Sequence, residues 1–279
     1  MNLFHNRTHY RKNLRVALRE PVRVQLEGEE SWQEAWTRDL SSGGMLLSWD
    51  RAPMAGKHLK IELTLEEMPA PRQLTGLIRR LRGDPESPVD ARYLVAVNFL
   101  DLRDPMRCEL REHVMRLINQ IVEGMQEFPA FHSLSEFDLV TLASVCHRIK
   151  LSAGQVLLRQ GDEARSLFIV SSGRVKLLGR SKQGSGSETV EIAGQGQIFG
   201  EVSTLTGLPH DLDIEALEDA ELLALPRGGM DYLKRALPDT ALRLMDVFMR
   251  FTGMRLRRMT RRAFEPVSLS DSRLPILRQ

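Results

Sequence analysis

The period of the hydrophobic pattern changes along this chain, and that change constrains the fold more than any other feature. Between residues 21 and 100, apolar and polar residues alternate in short runs such as HLKIELTL, separated by turn-forming stretches such as SSGG. Alternation of period two is typical of strands that bury one face. From residue 104 the apolar residues recur at spacings of three and four, as in an amphipathic helix. The sequence therefore predicts a small antiparallel β-barrel or sandwich followed by a helix.

A second strand-rich region and a second long helix follow. Residues 148–226 form short apolar runs with glycine-marked turns, and a helical stripe returns after Pro226. At roughly 100–200 residues per domain, 279 residues suit about two domains. The expected divisions are a first domain over 1–104, a connecting helix over 105–128, a second domain with its C-terminal helix over 129–262, and a flexible tail over 263–279.

The composition excludes several classes of protein. With 42% hydrophobic and 27% charged residues, the chain is typical of globular proteins with packed cores. Its two cysteines, Cys108 and Cys146, lie in different predicted elements, which argues against a disulfide scaffold and a cysteine-rich zinc site. No apolar run approaches the roughly 18 residues of a membrane span, and no apolar segment follows the basic N-terminus. We therefore expect a cytoplasmic protein without a bound metal.

Arginines precede the first predicted strand, and a polar glycine-rich turn, DLSSGG, follows at a strand edge. Guanidinium groups bind phosphates through paired hydrogen bonds and stack on purines. The Asp and Ser of the turn supply polar atoms, and its glycines allow a ligand to approach the backbone closely. The pattern predicts binding of an anionic, purine-bearing ligand. The candidate residues are Arg7, Arg11, Arg15, Asp39, Ser41, Gly43 and Gly44.

This pattern resembles the PilZ domain, a bacterial receptor for cyclic di-GMP, over about residues 5–105. The family signature is an Arg-x-x-x-Arg arm plus Asp/Asn-x-Ser-x-x-Gly, matched here by Arg11, Arg15, Asp39, Ser41 and Gly44. Arg7 and Arg11 also have this spacing. We prefer Arg11 and Arg15 because family members run from the second arginine almost directly into the first strand, and we keep Arg7 as a distal contact. In the alternative interpretation, the arginines are surface charges and the Asp and Ser cap a turn.

Residues 131–230 resemble the cyclic nucleotide-binding domain of the catabolite-activator type, which implies a β-roll or jelly roll with a long C-terminal helix. In ligand-binding members, Phe-Gly-Glu is followed by an arginine that pairs with the cyclic phosphate. Here Gly200 and Glu201 are intact, and Glu201 is suited to accept from a ribose hydroxyl. The arginine position holds His210, however, and Asp211 and Asp213 follow it.

These replacements alter the charge of the expected phosphate site. Histidine has an unperturbed pKa of about 6.5, so a mostly neutral imidazole stands where a fixed cation is usual. Leaving a buried phosphate without its partner charge costs on the order of 2–5 kcal/mol of binding. We expect the second domain to keep the fold but not to bind cAMP or cGMP usefully. The alternatives are a less anionic ligand and a compensating arginine elsewhere in the pocket.

The resemblance also implies that the helix over residues 238–262 forms a homodimer. Its stripe comprises Leu242, Met245, Phe248, Met249, Thr252 and Leu256. Alternatively, this helix packs back on its own domain. Its basic end, MRLRRMTRRAF, is followed by too few residues for the helix-turn-helix domain that transcription factors of this family carry, so we expect no nucleic-acid binding.

The expected function is that of a cyclic di-GMP receptor. In this interpretation, ligand binding at the N-terminal arm changes the contact between the domains or with a downstream protein that the sequence does not identify. No residue set suggests catalysis: Ser41 lacks a nearby histidine base. We therefore expect neither enzyme activity nor a cofactor. Two alternatives stay open: a scaffold or dimerisation protein that binds no nucleotide, and a dual sensor of cyclic di-GMP and cAMP.

Overall fold

The structure is a computed structural model that describes residues 14–65, 70–83, 93–100, 102–180 and 187–263. Two of the predicted site residues, Arg7 and Arg11, lie outside the described residues, as does the predicted tail from residue 264 onward. The first strands are β1 (Arg15–Ala17), β2 (Pro21–Leu26), β3 (Gln33–Ser41), β4 (Gly44–Trp49), β5 (His58–Leu63), β6 (Arg72–Gly83) and β7 (Tyr93–Leu100).

Six of these strands close into an antiparallel barrel. Their order is β3-β2-β5-β6-β7-β4, and pairing of β4 with β3 completes the circle. Alternation in β5 buries Leu59, Ile61 and Leu63, as its sequence predicts. The short strand β1 adds to β3, with Val16 opposite Leu40. The predicted small barrel is confirmed.

A helix then joins the barrel to the second half of the chain. Helix α1 (Asp104–Gln126) has Pro105 in its first turn, where the missing N–H costs no intrahelical hydrogen bond. Its apolar stripe is buried, including Leu110, Val114 and Ile118. Because α1 contacts β1 and β3 as well as the next helix, it is part of the packing between the domains.

The second half is a roll of two facing sheets with helices at its edges. A 3-10 turn (Pro129–Phe131) and α2 (Glu136–Ala143) lead into it. Its strands are β8 (His147–Leu151), β9 (Val156–Leu158), β10 (Ser166–Ser172), β11 (Val175–Arg180), β12 (Ser187–Ala193), β13 (Ile198–Phe199), β14 (Asp213–Ala216) and β15 (Ala220–Pro226). The remaining helices are α3 (Glu201–Thr206), α4 (Arg227–Ala236) and α5 (Pro238–Ala263).

The two four-stranded sheets of the roll have the orders β13-β10-β15-β8 and β12-β11-β14-β9. Val170, Val175 and Leu222 are fully buried in the core between them. The predicted jelly roll with a long C-terminal helix is confirmed.

A larger core runs without interruption from the barrel into the helices of the second domain. It includes Leu40 of the barrel, Ile118 of α1, Leu142 of α2, Leu233 of α4 and Phe248 of α5. The two domains therefore share one apolar core through their helices, while the roll keeps a separate core between its sheets. A change in how the barrel packs must disturb contacts that also hold α2, α4 and α5.

Candidate functional site

The pairing of β1 with β3 brings two predicted site residues together. Arg15 lies opposite Ser41 and Ala17 opposite Asp39, so the Arg15 and Asp39 side chains project from one face. Arg15 Nη1 donates to Asp39 Oδ1 at 2.6 Å, and both side chains are partly exposed. Val16 and Leu40, on the opposite face, are buried in the core. The site thus presents a charged pair at the surface of the barrel.

The rest of the motif shapes the turn between β3 and β4. Ser41 is 1% exposed; its Oγ donates to the carbonyl of Gly44 at 2.9 Å and accepts from the Gly43 N–H at 3.3 Å. A Cβ at Gly44 would lie 2.2 Å from the carbonyl oxygen of Val97. In this structure Ser41 and Gly44 therefore stabilise the turn, while Arg15 and Asp39 face outward.

In the roll, the second predicted pocket is built around the buried carboxylate of Glu201. Gly200 has a φ of +74°, in the left-handed region that favours glycine, and precedes α3. Glu201 is 1% exposed and has two partners on α5. Arg255 Nη1 donates to its Oε1 at 2.9 Å and to its Oε2 at 3.2 Å, and Thr252 Oγ1 donates to Oε1 at 2.9 Å. The carboxylate expected to accept from a ribose hydroxyl is thus engaged by the chain's own C-terminal helix.

Arg255 is held by further contacts. Its Nε donates to Glu191 Oε2 at 2.9 Å, and its Nη2 donates to the carbonyl of Ile198. Arg258 donates to the other oxygen of Glu191 at 2.7 Å. We call Glu191, Glu201, Arg255 and Arg258 the Arg255 network. It binds α5 to β12 and to the start of α3 through charge-assisted hydrogen bonds, which are stronger than neutral ones.

The other altered positions of this pocket, His210, Asp211 and Asp213, differ in burial and in hydrogen bonding. His210 is buried, and burial lowers its pKa although the nearby Asp162 and Asp211 carboxylates oppose that shift. The imidazole is therefore neutral at physiological pH. Asp213 Oδ1 accepts the Gln160 N–H at 2.6 Å, whereas Asp211 is exposed.

An arginine from outside the expected segment also reaches this region. A Cβ at Gly207 would lie 3.2 Å from both terminal nitrogens of Arg227, the first residue of α4. Arg227 thus approaches the end of α3, and Arg255 contacts Glu201 at its beginning. Neither contact follows from the Phe-Gly-Glu motif. The only sequence signals were the arginine cluster at the end of α5 and the polar Thr252 within its apolar stripe.

Helix α5 has two apolar faces, which corrects the single stripe expected from its sequence. Leu244, Val247 and Phe248 are buried against the chain's own core. The outer seam, defined here as Leu242, Met249 and Leu256, is 67%, 68% and 62% exposed. Because its members are seven residues apart, they line one side of the helix.

The described part of the chain contains neither a candidate membrane span nor a candidate metal cluster. None of its helices has the length and apolar character that a membrane crossing requires. Nor do any three His, Cys, Asp or Glu side chains in those ranges lie together as a metal site requires.

Comparison with known proteins matches each half of the chain separately. The family model for the PilZ domain matches residues 6–116, and that for the cyclic nucleotide-binding domain matches residues 148–235. The cyclic AMP receptor protein of Thermus thermophilus is 35% identical over 114 residues, covering 41% of this chain and 52% of the relative. Patatin-like phospholipase domain-containing protein 6 of Mus musculus is 36% identical over 96 residues, covering 34% of this chain and 7% of the relative.

Among solved structures, a cyclic nucleotide-binding domain from Methylobacillus flagellatus is 21% identical, with a TM-score of 0.48, and the match covers 53% of this chain and 82% of that one. The chain spans about half the length of the Thermus relative and a small part of the phospholipase.

The two family matches support a nucleotide-binding signalling regulator. More specifically, the chain contains a PilZ domain over residues 6–116 and a cyclic nucleotide-binding domain over residues 148–235, which confirms both resemblances.

Proposed function

We propose that this protein is a non-enzymatic cyclic di-GMP receptor whose PilZ domain binds the ligand and whose second domain responds to it. The proposal rests on one observation above all, the ion pair of Arg15 and Asp39 at 2.6 Å on the outer face of β1 and β3. It joins a guanidinium and a carboxylate from the two halves of the PilZ motif. Such a pair suits a ligand that carries both phosphates and guanines.

The chemistry of each group supports this assignment. One terminal nitrogen of Arg15 donates to Asp39, and a guanidinium has five N–H donors, so others can bind a phosphate. Asp39 is positioned to accept from guanine N–H groups through its carboxylate. Arg11, with Arg7 as a distal contact, would add further cations from the arm. Ordering of that arm on the ligand converts binding energy into a conformational change.

For the second domain we propose a relay without useful affinity for cAMP or cGMP. Two features support this: Glu201 is engaged by Arg255, and His210 is buried with a lowered pKa. A cyclic nucleotide would have to displace Arg255 and Thr252 from Glu201 and then place its phosphate without the usual arginine. Arg227 approaches Gly207, at the other end of α3. Titration with cAMP therefore tests whether Arg227 replaces the missing arginine.

The decisive experiment is calorimetric titration of the full chain with cyclic di-GMP, with cAMP and cGMP run separately. We expect binding of cyclic di-GMP alone, and its loss in Arg15→Ala. Arg19→Ala is the matched control, because Arg19 is an exposed arginine four residues along the same segment. Equal binding by Arg15→Ala and wild type would contradict the proposal, and micromolar binding of cAMP would contradict the relay role of the second domain.

A second candidate function, a scaffold that dimerises without binding nucleotide, is favoured by the outer seam of α5. Three large apolar side chains, each more than 60% exposed and in register along one helix, suit burial against a second copy. Dimerisation is compatible with the receptor proposal as well. The two functions are separated by the cyclic di-GMP titration, since only the receptor binds. The receptor proposal also places the protein in the cytoplasm, where this second messenger acts.

A further inference from the structure

The start of β1 contacts the second domain as well as the barrel. One small crevice is lined by Leu14 and Arg15 on one side and by residues of the second domain on the other. We call the second-domain side the arm dock; it comprises Thr141, Ser144, Val145, Tyr232 and Leu237. The dock is formed by α2, the residues that follow it, and α4 with the residue after it.

Leu14, the last residue of the arm before β1, contributes an apolar side chain to this crevice. Leu14 and Tyr232 are both partly buried and pack against the core that the two domains share. Leu14 immediately precedes Arg15, so the position of its side chain in the crevice determines where the Arg15 backbone lies. From there the Arg15 guanidinium reaches Asp39 on the barrel. Arg15 is thus located between a barrel residue of the proposed ligand site and a surface of the second domain.

The arm dock is fixed to α5. Asp138, one turn before Thr141 on α2, is fully buried and accepts from Arg243 Nε at 2.8 Å and from Arg243 Nη2 at 2.7 Å. Thr240 Oγ1 donates to the same carboxylate at 2.7 Å. Because these bonds hold α2 against α5, they fix the position of the α2 side of the dock within the second domain.

We propose that the cyclic nucleotide-binding domain sets the affinity of the PilZ domain for cyclic di-GMP by holding the arm at the arm dock. This inference rests on the proposed function. Docking of Leu14 keeps Arg15 beside Asp39 before the ligand arrives, so less ordering remains to be done on binding. By linkage, ligand binding must strengthen the contact between arm and dock to the same degree. The second domain is then a structural part of the receptor site.

The test alters the dock and measures binding to the PilZ domain in the full chain. In Tyr232→Ala the ring that lines the crevice beside Leu14 and Arg15 is removed. In Ser144→Glu a carboxylate is placed in the crevice, where it competes with Asp39 and the ligand phosphates for Arg15. We expect each variant to bind cyclic di-GMP about 3–10-fold more weakly than wild type by calorimetry. Ser152→Glu is the matched control, since it makes the same change at an exposed serine of the same domain outside the crevice, and it should bind as wild type does.

A double-mutant cycle gives a second readout. Leu14→Ala and Tyr232→Ala should weaken binding by less in combination than the product of their separate effects, because both residues line the same crevice. If Tyr232→Ala does not fold, Ser144→Glu and its control still decide the question. No binding by the wild-type chain would overturn the proposed function itself. Binding by wild type together with unchanged or tighter binding by the dock variants would overturn only the arm dock.

Discussion

Arg255 donates to both carboxylate oxygens of Glu201, at 2.9 and 3.2 Å, across a sequence separation of 54 residues. The cation comes from α5 and the anion from the start of α3. This contact ties the C-terminal helix to the pocket of the roll. It also explains how the Glu201 carboxylate can be only 1% exposed, since an unpaired buried charge would be very costly.

Removing this cation should destabilise the second domain. Breaking a buried pair by deleting one partner leaves the other charge uncompensated, so we expect Arg255→Ala to lower the free energy of unfolding by about 3 kcal/mol. Urea unfolding followed by circular dichroism measures the change. Arg257→Ala, an exposed arginine on the same helix, should change it by less than about 0.5 kcal/mol. Equal effects of the two substitutions on the free energy of unfolding would show that the Arg255 network does not stabilise the second domain.

The buried carboxylate of Asp138 gives the stability a defined pH dependence. Burial by itself would raise its pKa, but hydrogen bonds from Arg243, Ser135 and Thr240 outweigh it and lower the pKa from 3.8 to about 2. A lowered pKa means that the contribution is complete above pH 3.8 and is lost as the pH falls from there to about 2. The shift corresponds to about 2 kcal/mol at neutral pH.

We therefore expect Asp138→Asn to be less stable than wild type by about 2 kcal/mol or more at neutral pH, with the difference shrinking as the pH falls toward about 2. Denaturant unfolding at a series of pH values measures this. The control is Asp246→Asn, because Asp246 forms an exposed pair with Arg250 at 2.7 Å and should contribute less than about 0.5 kcal/mol. A difference between wild type and Asp138→Asn that stays constant over this pH range would rule out the assigned pKa.

Gly44 of the PilZ motif is required by packing. Its Cβ would meet the Val97 carbonyl oxygen at 2.2 Å, and a backbone atom in a paired strand cannot move aside easily. We expect Gly44→Ala to destabilise the barrel by roughly 2–3 kcal/mol in thermal unfolding. At Gly83 a Cβ meets nothing within 4 Å, so Gly83→Ala serves as the control and should be nearly neutral. Similar melting temperatures for the two variants would refute this packing role.

The outer seam of α5 predicts the oligomeric state. If a second copy covers it, Met249→Glu places a charge at the centre of an apolar interface and should shift the protein from dimer to monomer in sedimentation velocity. Met254→Glu is matched in chemistry and lies on the same helix, away from the seam, at 50% exposure. It should leave the dimer intact. If the wild-type protein sediments as a monomer, the outer seam is not a dimer interface.

Much of the architecture could be predicted from the sequence because it depends on local pattern. The switch from period two to spacings of three and four locates α1, and the alternation in HLKIELTL identifies the buried face of β5. The sequence placed Arg15 before the first strand, whereas in the structure Arg15 begins β1, whose pairing with β3 brings it to Asp39. The sequence left open whether Ser41 faces a ligand or caps the turn, and in the structure its Oγ bonds to Gly43 and Gly44 within the turn.

The sequence by itself determined the two domain types, the alternation that builds each sheet, and the absence of the usual arginine at His210, because these properties depend on residue identity and spacing along the chain. Only the tertiary structure decided that Arg255 pairs with Glu201 and that Phe248 faces inward while Met249 faces outward. It also decided that Leu14 lies beside the second domain. Each of these depends on the angle at which one packed element meets another. These contacts join residues that are far apart in the sequence, so they depend on how the elements of the shared core pack together.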